Sequence, residues 1–187
     1  MAKVGKNVLT RGLSGKLGNQ VVFRNTGDET IISTAPGKRT RPQTEAQQSH
    51  LQQFKEAVIY AKSVLADATS KALYQASVIN GKSAFNLAVA DFLKPPVITE
   101  MDISNYTGQI GEKIRVRATD NFRIHEVRVS IFLQDDTLVE AGVAVPQVNG
   151  LDYIYEITQV SNDITGGRII AEVTDLPGHR VQMSKML

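Results

Sequence analysis

Gly12-Leu13-Ser14-Gly15-Lys16-Leu17-Gly18 is the stretch of this 187-residue chain that comes nearest to a phosphate-binding loop. Such a loop needs Gly, four residues, then Gly-Lys-Ser/Thr, so that backbone N–H groups cradle the phosphate oxygens and the hydroxyl reaches a metal ion. Here Leu17 follows Lys16, and Thr10 stands where the first Gly belongs. Gly81-Lys82-Ser83 has the required ending, but Ala76 replaces the first Gly and a helical pattern precedes it where a strand is needed. Neither segment supports nucleotide hydrolysis.

Other chemistry-bearing residues are dispersed. Asp102, Asp120, Asp163 and Asp175 fall near the ends of expected strands. Carboxylates in such places can converge at one pole and hold Ca²⁺ through oxygen. They also cap turns through their own backbone, which is the commoner use. No dense Asp-x-Asp-x-Asp run is present. His50, His125 and His179 are far apart in sequence and form no metal-binding pair on one helix face, so they read as surface or turn residues. No serine sits in a Gly-x-Ser-x-Gly elbow. Tyr60, Tyr74 and Phe85 occupy helical positions that suit a core. Cysteine is absent, which removes disulfides, thiol nucleophiles and Cys-ligated zinc. The expectation is a protein with no catalytic residues, no metal and no cofactor.

Charge is more informative. The net charge of +2 hides an asymmetry. Residues 1–42 hold eight basic residues (Lys3, Lys6, Arg11, Lys16, Arg24, Lys38, Arg39, Arg41) against Asp28 and Glu29, a net of +6. The remaining thirteen basic residues face seventeen acidic ones, a net of −4. A basic arm on an acidic body can dock on an acidic neighbour, including another copy of itself. It can also follow a nucleic-acid backbone without reading sequence. For stacking on bases the arm offers only Phe23.

These residues must be positioned by elements of two kinds. Gly5, Gly12, Gly15 and Gly18 mark residues 1–18 as loop-like. Residues 20–24 and 29–33 flank a Gly-containing turn and read as a hairpin. Pro36 and Pro42 make 35–43 an extended connector. Thr44 opens a helix over about 45–66, with Gln47 completing a capping box and Leu51, Phe54, Val58, Ala61 and Leu65 forming one apolar stripe. Shorter helices follow at 70–79 and 84–93. The last is apolar nearly all round, so it should lie between neighbours. After Pro95-Pro96 the period becomes two. Strands are expected at 97–103, 112–119, 125–133, 137–144, 152–158, 167–174 and 179–185, a spacing that suits an immunoglobulin-like sandwich. The fold class expected is α+β, with a basic arm, β-hairpin and helical region over 1–94 and an all-β sandwich over 97–187.

The segments Ser14-Gly15-Lys16-Leu17-Gly18-Asn19-Gln20-Val21-Val22, Phe54-Lys55-Glu56-Ala57-Val58-Ile59-Tyr60-Ala61-Lys62 and Ser83-Ala84-Phe85-Asn86-Leu87-Ala88-Val89-Ala90-Asp91-Phe92-Leu93-Lys94-Pro95-Pro96, with Asp175-Leu176-Pro177-Gly178 near the end, carry a resemblance. The chain resembles, over nearly its whole length, a family of hypothetical proteins common in Bacteroidetes-type bacteria. The resemblance implies the same arm, helices and immunoglobulin-like tail, and brings no activity or site. The layout is also similar to accessory proteins of phage heads, tails and injection machines. The function expected is a non-enzymatic structural or interaction protein, a subunit of a homo-oligomer or larger assembly, docking through the eight basic residues. The alternative is sequence-independent nucleic-acid binding through the same arm. A carbohydrate- or calcium-dependent adhesion module would require export. The N-terminus has no apolar run of a secretory signal and no stretch spans a bilayer, so the expected location is cytoplasmic or particle-associated, without membrane partners.

Overall fold

The computed structural model describes residues 2–4, 10, 12–26, 29–37, 42–78, 83–161 and 164–187. The chain divides into two compact units, Met1–Glu45 and Ala46–Leu187. The expected α+β class is found: the described residues form three helices and three antiparallel sheets.

In the first unit the expected hairpin is β3 (Val21–Thr26) with β4 (Glu29–Thr34). It is the centre of a larger sheet. β1 (Ala2–Val4) pairs with β4, and β2 (Gly15–Leu17) pairs with β3, in the order β1-β4-β3-β2. The Gly-rich stretch read as loop therefore contributes two short strands. A hairpin alone is marginal in water, and each outer edge offers N–H and C=O groups that a neighbouring segment can satisfy. Gly15 and Gly18 adopt φ values of 103° and 55°, a region open to glycine, at the start of β2 and just past its end.

The second unit begins with α1 (Glu45–Val64), α2 (Ala68–Ala76) and α3 (Ala84–Leu93). Asp67 starts α2 by accepting from the Ser70 N–H at 2.7 Å, and Ser83 starts α3 by accepting from the Asn86 N–H at 3.2 Å. Ala57 and Ala61 of α1, Tyr74 of α2, and Ala88 and Val89 of α3 form one buried cluster, to which Phe122 from the strand region is added. The apolar α3 thus lies between neighbours, as its composition requires. The stripe on α1 is only half covered. Val58 and Leu65 join the cluster, but Leu51 and Phe54 are 44% and 50% exposed. Geometry explains this: twenty residues of helix run about 30 Å, whereas α2 and α3 are about half that length and reach only its C-terminal half.

The strands that follow are β5 (Val97–Asp102), β6 (Lys113–Thr119), β7 (Ile124–Phe132), β8 (Leu138–Val143), β9 (Val145–Pro146), β10 (Asp152–Glu156), β11 (Arg168–Asp175) and β12 (Arg180–Met186). They form two sheets, β5-β6-β10-β9 and β12-β11-β7-β8. The chain leaves one sheet for the other at Ala144, whose N–H donates to the Val127 carbonyl at 2.8 Å. Seven strands lie within two residues of expectation. The eighth, β9, has two residues and ends in Pro146, too short to show a period. Alternation decides the inward face: Ile114, Val116 and Ala118 of β6, Val127, Val129 and Ile131 of β7, and Ile169, Ala171 and Val173 of β11 are buried in one cluster drawn from both sheets. Each Val or Ile buried there contributes about 1.5–3 kcal/mol.

The sheets meet closely at Gly142, where an added Cβ would stand 2.6 Å from Cε2 of Tyr155. Tyr155 is buried and its hydroxyl is held by Glu140, so the ring has little room to yield. Gly142→Ala is expected to lower stability by about 1–3 kcal/mol in denaturant titration. An unchanged midpoint would show that the ring moves freely.

Candidate functional site

Three of the eight basic residues singled out in the sequence lie among the described residues, and strand register places them on one face of the N-terminal sheet. Lys3 of β1 is paired with Ile31, which is paired with Arg24 of β3. Val22, two residues before Arg24, is paired with Lys16 of β2. Partners in register share a face, as do residues two apart in a strand. This face therefore carries Lys3, Lys16 and Arg24 together with Val22 and Ile31, and Glu29 answers the cations through an ion pair to Lys3 at 3.1 Å. The other face carries Leu17, Val21, Phe23 and Ile32. Lys6, Arg11, Lys38, Arg39 and Arg41 lie outside the described residues.

Burial in this unit is slight. Leu17 is 68% exposed, Val21, Phe23 and Ile32 are half-buried, and among the described residues only Thr30 is buried. Its hydroxyl lies 3.1 Å from Oδ1 of Asn25 and 3.2 Å from the Thr10 carbonyl. None of these side chains belongs to either buried apolar cluster. The glycine-rich segment that approached a phosphate loop is strand β2, not a turn leading into a helix. Gly81 and Lys82 lie outside the described residues, and the Ser83 hydroxyl is used as a helix cap.

The strand-end aspartates act locally. Asp102 accepts from the Ser104 hydroxyl at 2.7 Å and from Arg115 at 3.3 Å, which hold its carboxyl down at about 2. Asp120 accepts from the N–H groups of Phe122 and Arg123. Asp175 accepts from the N–H groups of Gly178 and His179, and its second oxygen lies 2.7 Å from Nδ1 of His179. Asp163 lies outside the described residues. Among the described residues no group of three or more His, Asp or Glu side chains is placed to hold a metal ion. His50 and His125 are exposed. On the outward face of β5-β6-β10, Arg115 reaches Glu100 at 2.8 Å, and Arg117 meets Asp152 through two bonds at 2.8 and 3.0 Å. The Arg117 and Asn149 bonds hold the Asp152 carboxyl far below its ordinary value. The charges on that face answer one another.

Sequence reasoning passed over a buried polar relay in the second unit. Tyr60 of α1 and Tyr74 of α2 touch hydroxyl to hydroxyl at 3.0 Å, and the Tyr74 hydroxyl donates to Oδ2 of Asp91 on α3 at 2.5 Å. Asp91 is fully buried and its Oδ1 has no hydrogen-bond partner. Burial, and then the nearby charges of Asp120 and Asp175, push its carboxyl up to about 6 against the opposing effects of the Tyr74 bond and His179. Burial and the adjoining acid raise the Tyr74 hydroxyl well above its ordinary range. Phe122 stacks on Tyr74 at 4.4 Å, and His179 meets Phe92 edge-on at 5.2 Å. The sequence held one signal for this relay: Asp91 is the single charged residue of α3, whose only other polar residue is Asn86.

No protein-family model matches this chain and no curated protein is similar to it. The resemblance drawn from its sequence rests on those residues alone. No described helix is long and apolar enough to cross a membrane.

Tyr74 joins both neighbours, whereas Tyr60 touches the relay at one end only. Tyr74→Phe is expected to cost about 2 kcal/mol near neutral pH, because it strips the one donor from a buried carboxylate. Tyr60→Phe should cost about half as much. Chemical denaturation of the two variants checks the order, and equal losses would contradict the relay.

Proposed function

We infer that this chain is a non-enzymatic structural or interaction protein that assembles with further copies of itself through its N-terminal sheet. The single observation behind this reading is that a four-stranded sheet, with Leu17, Val21, Phe23 and Ile32 together on one face, leaves only Thr30 buried among its described residues. A sheet needs a second layer to remove its apolar face from water. The uncovered half of the α1 stripe, Leu51 and Phe54, adds apolar surface that suits the same use.

The C-terminal strands fit an immunoglobulin-like sandwich. The order β5-β6-β10-β9 corresponds to strands A-B-E-D of that fold, and β12-β11-β7-β8 to G-F-C with a C′ strand at the edge. Such a domain serves as a spacer or a binding surface, which agrees with an assembly role. The chain lacks the Cys pair and the Trp of antibody domains. The burial of Val, Ile and Ala from both sheets takes their place.

A second reading has its own support. Lys3, Lys16 and Arg24 share one face, and a row of cations on a sheet can lie along phosphates. Light scattering after size exclusion, at low and high salt, separates the two. Self-assembly predicts a defined oligomer free of nucleic acid, and Phe23→Asp should weaken it by about thirtyfold, the effect of losing one buried aromatic anchor. A monomer at every concentration would reject this reading. A monomer that carries nucleic acid at low salt and sheds it at high salt would put phosphate binding in its place.

A further inference from the structure

The relay around Asp91 does more than join three helices. A protonated carboxyl needs few partners in a buried site, whereas a carboxylate needs donors for both oxygens. Asp91 has one donor, the Tyr74 hydroxyl, and its Oδ1 has none. The groups facing it give little help to a negative charge. From α1 and α2 come the neutral hydroxyls of Tyr60 and Tyr74. From the β6–β7 connection comes Asp120, whose own Oδ1 is buried without a partner. From the end of β11 comes Asp175, fully buried, and before β12 comes His179, whose Nδ1 is already engaged by Asp175. Among the described residues no Lys or Arg forms an ion pair with Asp91.

The same residues fasten helices to strands. Phe122 stacks on Tyr74, the Asn121 side-chain amide donates to the Ala90 carbonyl at 3.0 Å, and Phe92 packs against His179. Asp91 sits between Ala90 and Phe92. Whatever charge it carries is therefore felt where α3 meets the strand ends.

We propose that Asp91 is a proton-operated latch: with its carboxyl protonated α2 and α3 stay closed on the strand ends, and with its carboxylate charged that helical layer opens more readily while the sheets stay folded. The direction follows from linkage. Its folded-state value, about 6, stands above the ordinary 3.8, so the closed layer holds a proton that the open layer releases. The stabilisation is complete below about pH 4 and falls as pH rises through about 6.

The test is made on the full chain. The ¹³C carboxyl resonance of Asp91 is followed across pH, together with hydrogen exchange of amides in α2, α3, β7 and β11, corrected for intrinsic rates. The latch predicts a midpoint near 6 and exchange in α2 and α3 that becomes about tenfold faster across it, with β7 and β11 unmoved. Asp91→Asn should abolish the change in the helices. A midpoint below about 5, helical exchange indifferent to pH, or an Asp91→Asn variant that keeps the full pH dependence would each overturn it. The wild-type titration decides alone if the variant does not fold.

Discussion

A β-sheet one layer thick cannot keep water from both of its faces, and the N-terminal unit of this chain faces that constraint directly. Strand register places Leu17, Val21, Phe23 and Ile32 on one side, and Lys3, Lys16 and Arg24 with Val22 and Ile31 between them on the other. The first side carries no charged side chain among these residues, and the second carries the cations. Among its described residues the one that is buried is a threonine held by hydrogen bonds. Cross-strand hydrogen bonds define its shape. On the proposed reading, the free energy for holding that shape comes from apolar surface covered by another copy of the chain.

The second unit meets the same constraint internally. Its two sheets face one buried cluster of Val, Ile, Met, Ala and Tyr, and its helices close a second cluster that meets the strands through Phe122. A buried carboxylate is bonded to a tyrosine of each cluster, Glu140 to Tyr155 and Asp91 to Tyr74, and the two are held differently. Oε2 of Glu140 accepts from the Tyr155 hydroxyl and from both the N–H and the hydroxyl of Thr158. Asp91 has Tyr74 alone. Three donors from Tyr155 and Thr158 tie Glu140 in place, although its Oε1, like Oδ1 of Asp91, is buried without a partner. Glu140 therefore reads as a fixed part of the sheets, and Asp91 as the point where the helical layer responds to its surroundings.

Much of the fold was legible because period is a local property. β6, β7 and β11 alternate, α3 is apolar nearly all round, and Ser83 before Ala84 is a plain start signal. What escaped was non-local. β1 and β2 exist only because β4 and β3 offer edges to them, and three residues among glycines do not announce a strand. The exposure of Leu51 and Phe54 depends on how short α2 and α3 are, not on the α1 stripe itself. The candidate sites divide in the same way. A basic arm was visible as composition, but the placing of Lys3, Lys16 and Arg24 on one face required register. Asp120, Asp175 and His179 were each noted alone, and only the packing of α3 on the strand ends brings their charges to bear on Asp91. No spacing rule connects positions 60, 74, 91 and 175.

The account turns on whether the N-terminal sheet obtains its second layer from another copy of the chain. Hydrogen exchange of the β3 and β4 amides, measured across a wide range of protein concentration with β7 and β11 as internal reference, asks this most directly. Self-assembly predicts that protection in Val21–Thr26 and Glu29–Thr34 rises with concentration while the reference strands stay constant. Strong protection in β3 and β4 that does not depend on concentration would contradict it, because the sheet would then be stable without a partner copy.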